Sequence, residues 1–293
     1  MAAPQPPSVV PAVDVAGLRG GGVAWYCATL TGERPLCILV ADEQQVAETA
    51  QDLSFFTKAE VFAYPAHEIP PYGALAPDPR TSAQRISALY HIRDQGVAPV
   101  IVTSVEAALR RVIPVSQLQR HAELVIAGEE LDLDRFRGAL VAMAYEPAAL
   151  VRMVGDFAVR GGIIDLYPPP FISADGNCHD GPLRIDLFGE TVESIRGFDP
   201  LSQRSTTHLE EAVILPVSEL HLAAGESNHL DPIVQRLHHL GEHYGWTLRA
   251  TTAMVERIKH GRALPAWSVS CPFSPEMTNL VQPSLTTCRH PPG

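Results

Sequence analysis

Between residues 35 and 115 the chain repeats a strand-sized apolar run followed by a helix-period run, and this order restricts the possible folds most. Cys37-Ile38-Leu39-Val40 reads as a buried strand. Asp42, with Gln45 three residues on, has the spacing of a capping box. Val46, Ala50, Leu53 and Phe56 then recur at helical period, and Val61-Phe62-Ala63-Tyr64 is the next strand. A Pro-rich stretch from Pro65 to Pro79 is too punctuated to be regular. A helix with Ile86, Leu89 and Tyr90 on one face follows it. Pro99-Val100-Ile101-Val102-Thr103 is another buried strand, and Val105, Ala108, Leu109 and Val112 mark a further helix. Strands that alternate with helices predict an α/β fold, a parallel sheet covered by helices.

The pattern changes near residue 123. A short strand, Glu123 to Ile126, leads to a helix from about Asp132 to Ala144, with Phe136, Leu140 and Met143 on one side. Strands dominate afterwards, at Asp156 to Arg160, Ile163 to Tyr167, Leu183 to Phe188 and Val192 to Arg196. Gly189-Glu190 fits a two-residue hairpin turn with Gly in the first central place, as type II′ requires. A polar loop from Pro168 to Pro182 separates the hairpin pieces. We read 123–215 as an α+β domain inserted after a first lobe, 1–122, which the last part, 216–293, completes. Helices return there. Asp231-Pro232 has the form of an N-cap with Pro at the first helical position. Ile233, Leu237, Leu240 and Tyr244 share a face. A second helix runs from Thr252 with Met254, Val255 and Ile258 inward and Gly261 at its C′ position. The tail from Thr286 reads as unstructured.

Several function classes lose support from composition and motifs. Net charge is −11, and a general DNA binder needs a concentrated basic face. Of the 22 basic residues only Lys58 and Lys259 are lysines, and neither lies in a phosphate-binding G-x-x-x-x-G-K-[ST] loop. The cluster Gly20-Gly21-Gly22 reads as a turn into the first helix. Nucleotide hydrolysis and a bound cofactor are not expected. No nucleophile elbow is present. Cys27, Cys37, Cys178, Cys271 and Cys288 are scattered and odd in number, which fits a reducing compartment rather than a disulfide scaffold or a cysteine zinc site. His239 and His243, four apart on a helix, read as surface histidines, and Cys178-His179-Asp180 as a solvated loop, so no metal is expected. No apolar run approaches the ~18 residues that a membrane span needs. The N-terminus lacks the pattern of a signal peptide. A cytoplasmic protein is expected.

The informative segment is 183–188. Leu183, Ile185 and Leu187 alternate with Arg184, Asp186 and Phe188, so the first set faces a core and the second faces outward. An arginine and an aromatic on one outward face have the composition of an interaction hot spot. Taken alone, such a pair is more often ordinary surface.

Longer stretches resemble the bacterial transcription-repair coupling factor family. They are Asp52-Leu53-Ser54-Phe55-Phe56, YPAHEIPPYGALAPDPRTSAQRISALY (64–90), GDFAVRGGIIDLYP (155–168), PLRIDLFGETVESIRGFDPLSQRS (182–205) and AVILPVSEL (212–220). The resemblance is strong from about 35 to 220. It is faint from 221 to 285, where helix order and GRALPAWSVSCPFSP (261–275) carry it. UvrB shares the architecture but has a P-loop near its start and a DNA-gripping hairpin, and neither is found here.

The resemblance implies a degenerate helicase-like parallel α/β lobe that no longer binds nucleotide, with an inserted UvrA-binding domain. It implies that UvrA is contacted by Arg160 of FAVRG and by Arg184 and Phe188 of PLRIDLF. Asp156, Asp186 and Glu190 are expected to orient the arginines by local pairing. Full-length members continue into polymerase-binding and ATP-driven translocase domains, so the chain is expected to be a fragment or truncation. It is expected to be no enzyme by itself, with UvrA and its own C-terminal domains as partners. The alternative is an intramolecular role, restraining the translocase with no independent partner. A DNA-binding or nucleotide-dependent fragment is the other rival, opposed by the charge and by the missing P-loop.

Overall fold

The computed structural model describes residues 13–68, 77–92, 98–110, 112–113, 115–173, 175–218, 230–243 and 245–259. Its first part runs α1 (Gly22–Thr29), β1 (Leu36–Val40), α2 (Glu43–Phe56), β2 (Val61–Tyr64), α3 (Pro79–His91) and β3 (Val100–Ser104). The three strands form a parallel sheet in the order β1-β3-β2. This is the parallel α/β architecture expected of the alternating pattern. Strand β3 is central and buried throughout. Val100 and Val102 face a cluster with Ala24, Val46 and Leu53 of α1 and α2. Ile101 faces the opposite side, with Phe62, Tyr64 and Ala88. Asp42 caps α2 by accepting the Gln45 N–H at 2.9 Å.

Two expectations for this part need correction. Strand β1 lies at the sheet edge, so its burial alternates and Cys37 and Leu39 are exposed. The helix after β3 is a single turn, α4 (Val105–Ala108), which leaves Val105, Leu109 and Val112 exposed. Ser104, at the end of β3, caps that turn through the Ala107 N–H.

The chain continues through α5 (Val115–Arg120), β4 (Glu123–Ile126), α6 (Leu133–Ala142), β5 (Glu146–Pro147), β6 (Asp156–Arg160) and β7 (Ile163–Leu166). The loop between Pro168 and Pro182 is less irregular than expected, since β8 (Phe171–Ile172) pairs there with β9 (Cys178–His179). Then come β10 (Leu183–Phe188), β11 (Thr191–Phe198), β12 (Ser205–Leu209) and β13 (Glu211–Ile214). Six of these strands form one sheet, ordered β12-β11-β10-β7-β6-β5, in which only the β5–β6 pair is parallel. Strands β4 and β13 pair separately. One face of the large sheet, through Phe157, Ile164, Leu166, Leu183, Ile185 and Ile195, packs with Phe136 and Leu140 of α6 in the largest core. The period-2 burial of β10 follows directly, with Leu183 and Ile185 buried and Arg184 and Asp186 only partly so.

Helix α3 is the common wall of the two parts. Ala88 belongs to the core of the parallel sheet and Ala83 to the large core. Ile86 packs with Leu118 and Leu215. The Ser87 hydroxyl donates to the Pro170 carbonyl, and the Ile172 N–H donates to His91 Nε2 at 3.2 Å. This explains why α3 buries polar as well as apolar residues, beyond the single face of Ile86, Leu89 and Tyr90.

Helices α7 (Leu230–His243) and α8 (Leu248–Lys259) pack on each other. Asp231 and Pro232 lie inside the first turn of α7, and α8 begins four residues before Thr252. The side chains of Ile233, Leu237, Leu240 and Ile258, and the whole of Tyr244, Gly261 and 261–293, lie outside the described residues. No helix is long and apolar enough to cross a membrane among the described residues.

Candidate protein-interaction face

The second face of the six-stranded sheet carries the sequence-derived site. Strand register builds it in rows, because cross-strand partners point to the same side. One row runs Ala158, Asp165, Arg184, Arg196 and His208 across β6, β7, β10, β11 and β12. The next runs Arg160, Ile163, Asp186 and Ser194. Phe188, paired with Thr191, closes β10 beside the hairpin turn.

That turn has the expected form. Gly189 has φ +65° and Glu190 is not left-handed, which is the type II′ pattern. It leaves Phe188 at the sheet margin, 81% exposed. An aromatic ring so open to water is apolar area available to a partner.

Arg184 is the most constrained of the three expected contact residues. Its Nε donates to Asp165 Oδ1 at 2.7 Å and its Nη2 to Asp165 Oδ2 at 2.9 Å. This is the two-bond fork that arginine makes with a carboxylate. The guanidinium also sits 5.0 Å from the centre of the Phe198 ring, within cation–π range. The hydrogen-bonded Asp165 raises the Arg184 pKa above its ordinary value, partial burial opposing this, so the group stays charged. Arg160 is freer. Its side chain is 52% exposed, and its Nη2 lies 3.4 Å from Asp165 Oδ2 and 3.5 Å from the Ala149 carbonyl.

Structure thus brings Arg160 and Arg184 together through Asp165, whose side chain is 2% exposed. The expected orienting residues do something else. Asp156 accepts the backbone N–H groups of Arg152 and Met153, at 3.0 and 2.9 Å, and so fixes the loop before β6. Asp186 accepts from Ser194 Oγ at 2.9 Å and pairs with Arg196. Glu190 contributes its carbonyl, which accepts the Leu131 N–H at 2.6 Å, and its exposed side chain pairs with no arginine among the described residues. Proximity in sequence suggested these acids, whereas cross-strand register selects Asp165 and pairs Asp186 with a different arginine.

Asp165, Ile163 and Arg196 are additions that sequence reading missed. The signal was partial, since Ile164 and Leu166 flank Asp165 and enter the large core, but Asp165 is itself buried and Ile163 breaks the alternation. The pairing of β7 with β10 across a long loop was not legible.

Gly161 and Gly162, between β6 and β7, allow a tight turn and a close approach to β10. Gly161 takes φ +61°, and a Cβ on Gly162 would lie 2.7 Å from the Leu187 carbonyl oxygen. That carbonyl is close because the Leu187 N–H donates to the Gly162 carbonyl at 2.7 Å.

Chemically the face offers non-covalent recognition. It presents an open aromatic ring, an exposed Ile163, the loosely held Arg160 guanidinium, and those of Arg184 and Arg196 held by Asp165 and Asp186. His239 and His243 are exposed, and no group of three or more metal-ligating side chains forms among the described residues.

Residues 125–220 match the family model described as the UvrB interaction domain. The chain is 35% identical over 217 residues to the transcription-repair-coupling factor of Myxococcus xanthus, covering 71% of this chain and 17% of that protein. It is 31% identical over 210 residues to the transcription-repair-coupling factor of Bacillus subtilis (strain 168), covering 70% and 17%. For that of Staphylococcus aureus (strain USA300) the identity is 30% over 178 residues, covering 61% and 14%. The chain therefore spans 14–17% of the length of these relatives.

Proposed function

We propose that the chain, which matches the UvrB interaction domain over residues 125–220 and is similar to bacterial transcription-repair-coupling factors, is a UvrB-like, non-catalytic module that recruits UvrA to stalled transcription complexes for nucleotide excision repair. Its organisation in this reading is a degenerate α/β lobe at 1–122, a UvrA-binding domain at 123–215, and a closing part at 216–293.

The observation that carries the reading is the outward face of β6, β7 and β10. Arg160, Arg184 and Phe188 lie on it together, inside the UvrB interaction match. Buried aromatic and arginine anchors supply most of the energy of protein interfaces. An arginine already fixed by a carboxylate loses less freedom on binding.

Two features support a non-catalytic lobe. The start of α2, after β1, is where a P-loop protein would hold phosphate. Here Asp42 caps that terminus, and Glu43 accepts the Ala66 N–H at 2.9 Å and pairs with the Ser104 hydroxyl. Two carboxylates repel a phosphate there. On the sheet face, Asp165 and Asp186 stand among Arg160, Arg184 and Arg196, and a DNA-phosphate track needs a longer run of unopposed basic groups.

A different observation favours intramolecular restraint as a second reading. Trp25, Phe55 and Leu39 of the first lobe are exposed, and apolar surface of this kind suits contact with other domains of a longer polypeptide.

The test is competitive. Purified UvrA passed over the immobilised chain is expected to bind saturably, and excess UvrB is expected to displace it. Failure to bind UvrA, or binding that UvrB leaves unchanged, refutes the proposal.

A further inference from the structure

Among the described residues Asp165 is the acid that Arg160 and Arg184 share. It stands on β7 between Ala158 of β6 and Arg184 of β10. Its carboxylate gives one oxygen to Arg184 Nε at 2.7 Å. The other oxygen serves Arg184 Nη2 at 2.9 Å and Arg160 Nη2 at 3.4 Å. Taking a carboxylate out of water is costly, and a buried ion pair is weak evidence for a purely stabilising role. Arg184 also stands directly opposite Arg196, and like charges directly opposite repel. The acid therefore makes sense in relation to the guanidinium groups around it.

We infer that Asp165 is a positioning residue of the interaction face. It holds the Arg184 guanidinium in one plane and restrains Arg160. Arg184 Nη1 and most of the Arg160 guanidinium then remain for a carboxylate-bearing patch on the partner. Two arginines against one aspartate leave the site one positive charge in excess, so the patch that it fits is acidic, with an apolar recess for Phe188. This inference rests on the UvrA-binding reading above.

The test is calorimetric titration of purified UvrA with the 293-residue chain, comparing wild type, Asp165→Asn and Phe188→Ala. Asp165→Asn is expected to weaken binding on the order of ten-fold, the scale of ordering two long side chains afresh. The Arg184 Nε–H resonance should lose its protection against solvent exchange, while backbone resonances of the sheet persist. A folded Asp165→Asn chain that binds within two-fold of wild type overturns the inference. So does weakened binding with the Arg184 resonance still protected, which marks a merely structural role. If the Asn variant unfolds, Asp165→Glu keeps the charge and moves the carboxylate by one methylene. A several-fold loss is then expected, and wild-type affinity overturns the inference. Loss of binding in Phe188→Ala alone leaves the UvrA reading standing without the positioning role. No binding by folded wild type removes both.

Discussion

Arg184 and Phe188 share a strand face but differ in what their removal tests. Arg184 is bound to Asp165 through two nitrogens, and Asp165 is nearly inaccessible to water. Truncating one partner of such a pair strands the other. Arg184→Ala is therefore expected to lower folding stability by about 2–3 kcal/mol, with Arg160 as partial compensation, measured by urea denaturation. An unchanged denaturation midpoint contradicts this description of the pair. Any effect of that variant on binding mixes a lost contact with a loosened sheet. Phe188 sits outside the core and gives a clean probe. Both residues were legible from the alternation of 183–188. Asp165 was not, because local sequence does not encode which strand lies beside β7. Asp156 and Glu190 lie near the arginines in the chain but bond to the backbone of other segments, because strand pairing decides which acid meets which arginine.

At the scale of elements, tight turns and packed strand ends set the face. Gly162→Ala places a Cβ against the Leu187 carbonyl. It is expected to destabilise by about 1–3 kcal/mol, the usual scale of overpacking, and to weaken partner binding because β6, β7 and β10 must shift. Equal unfolding midpoints for the variant and wild type contradict it. Strand β9 makes a pH prediction. Burial lowers the His179 pKa, while the Gly181 carbonyl and Asp180 oppose this. The folded state thus favours the neutral imidazole. Its contribution is full above the unfolded pKa of about 6.5 and is lost as pH falls through the lower folded value. The urea midpoint should drop between pH 7.5 and 5, and His179→Gln should reduce that drop. An equal drop in both proteins removes His179 as the cause. The periodic elements α2, α6 and the hairpin of β10 and β11 were legible because their apolar residues follow one period. Strand β1 was misread as buried because an apolar run does not reveal whether it lies at the centre or the edge of a sheet. Helix α4 was overextended for a similar reason, since Leu109 and Val112 continue a period that the chain does not adopt.

For the whole molecule, acidity and the carboxylates at the start of α2 oppose nucleotide and nucleic-acid chemistry. A ligand that binds only the folded state raises the melting temperature. ATP with magnesium is expected to leave the melting temperature of the chain unchanged, and duplex DNA to show no binding at physiological salt. A shift of several degrees with ATP reverses the non-catalytic reading. In the proposed function the chain binds UvrA through the open face of its large sheet, and calorimetry of UvrA with wild type beside Phe188→Ala checks this. Saturable binding is expected of wild type, and about 30-fold weaker binding of a variant of unchanged melting temperature, the scale of an interface hot spot. Equal affinity of the two proteins, or no binding by folded wild type, contradicts it.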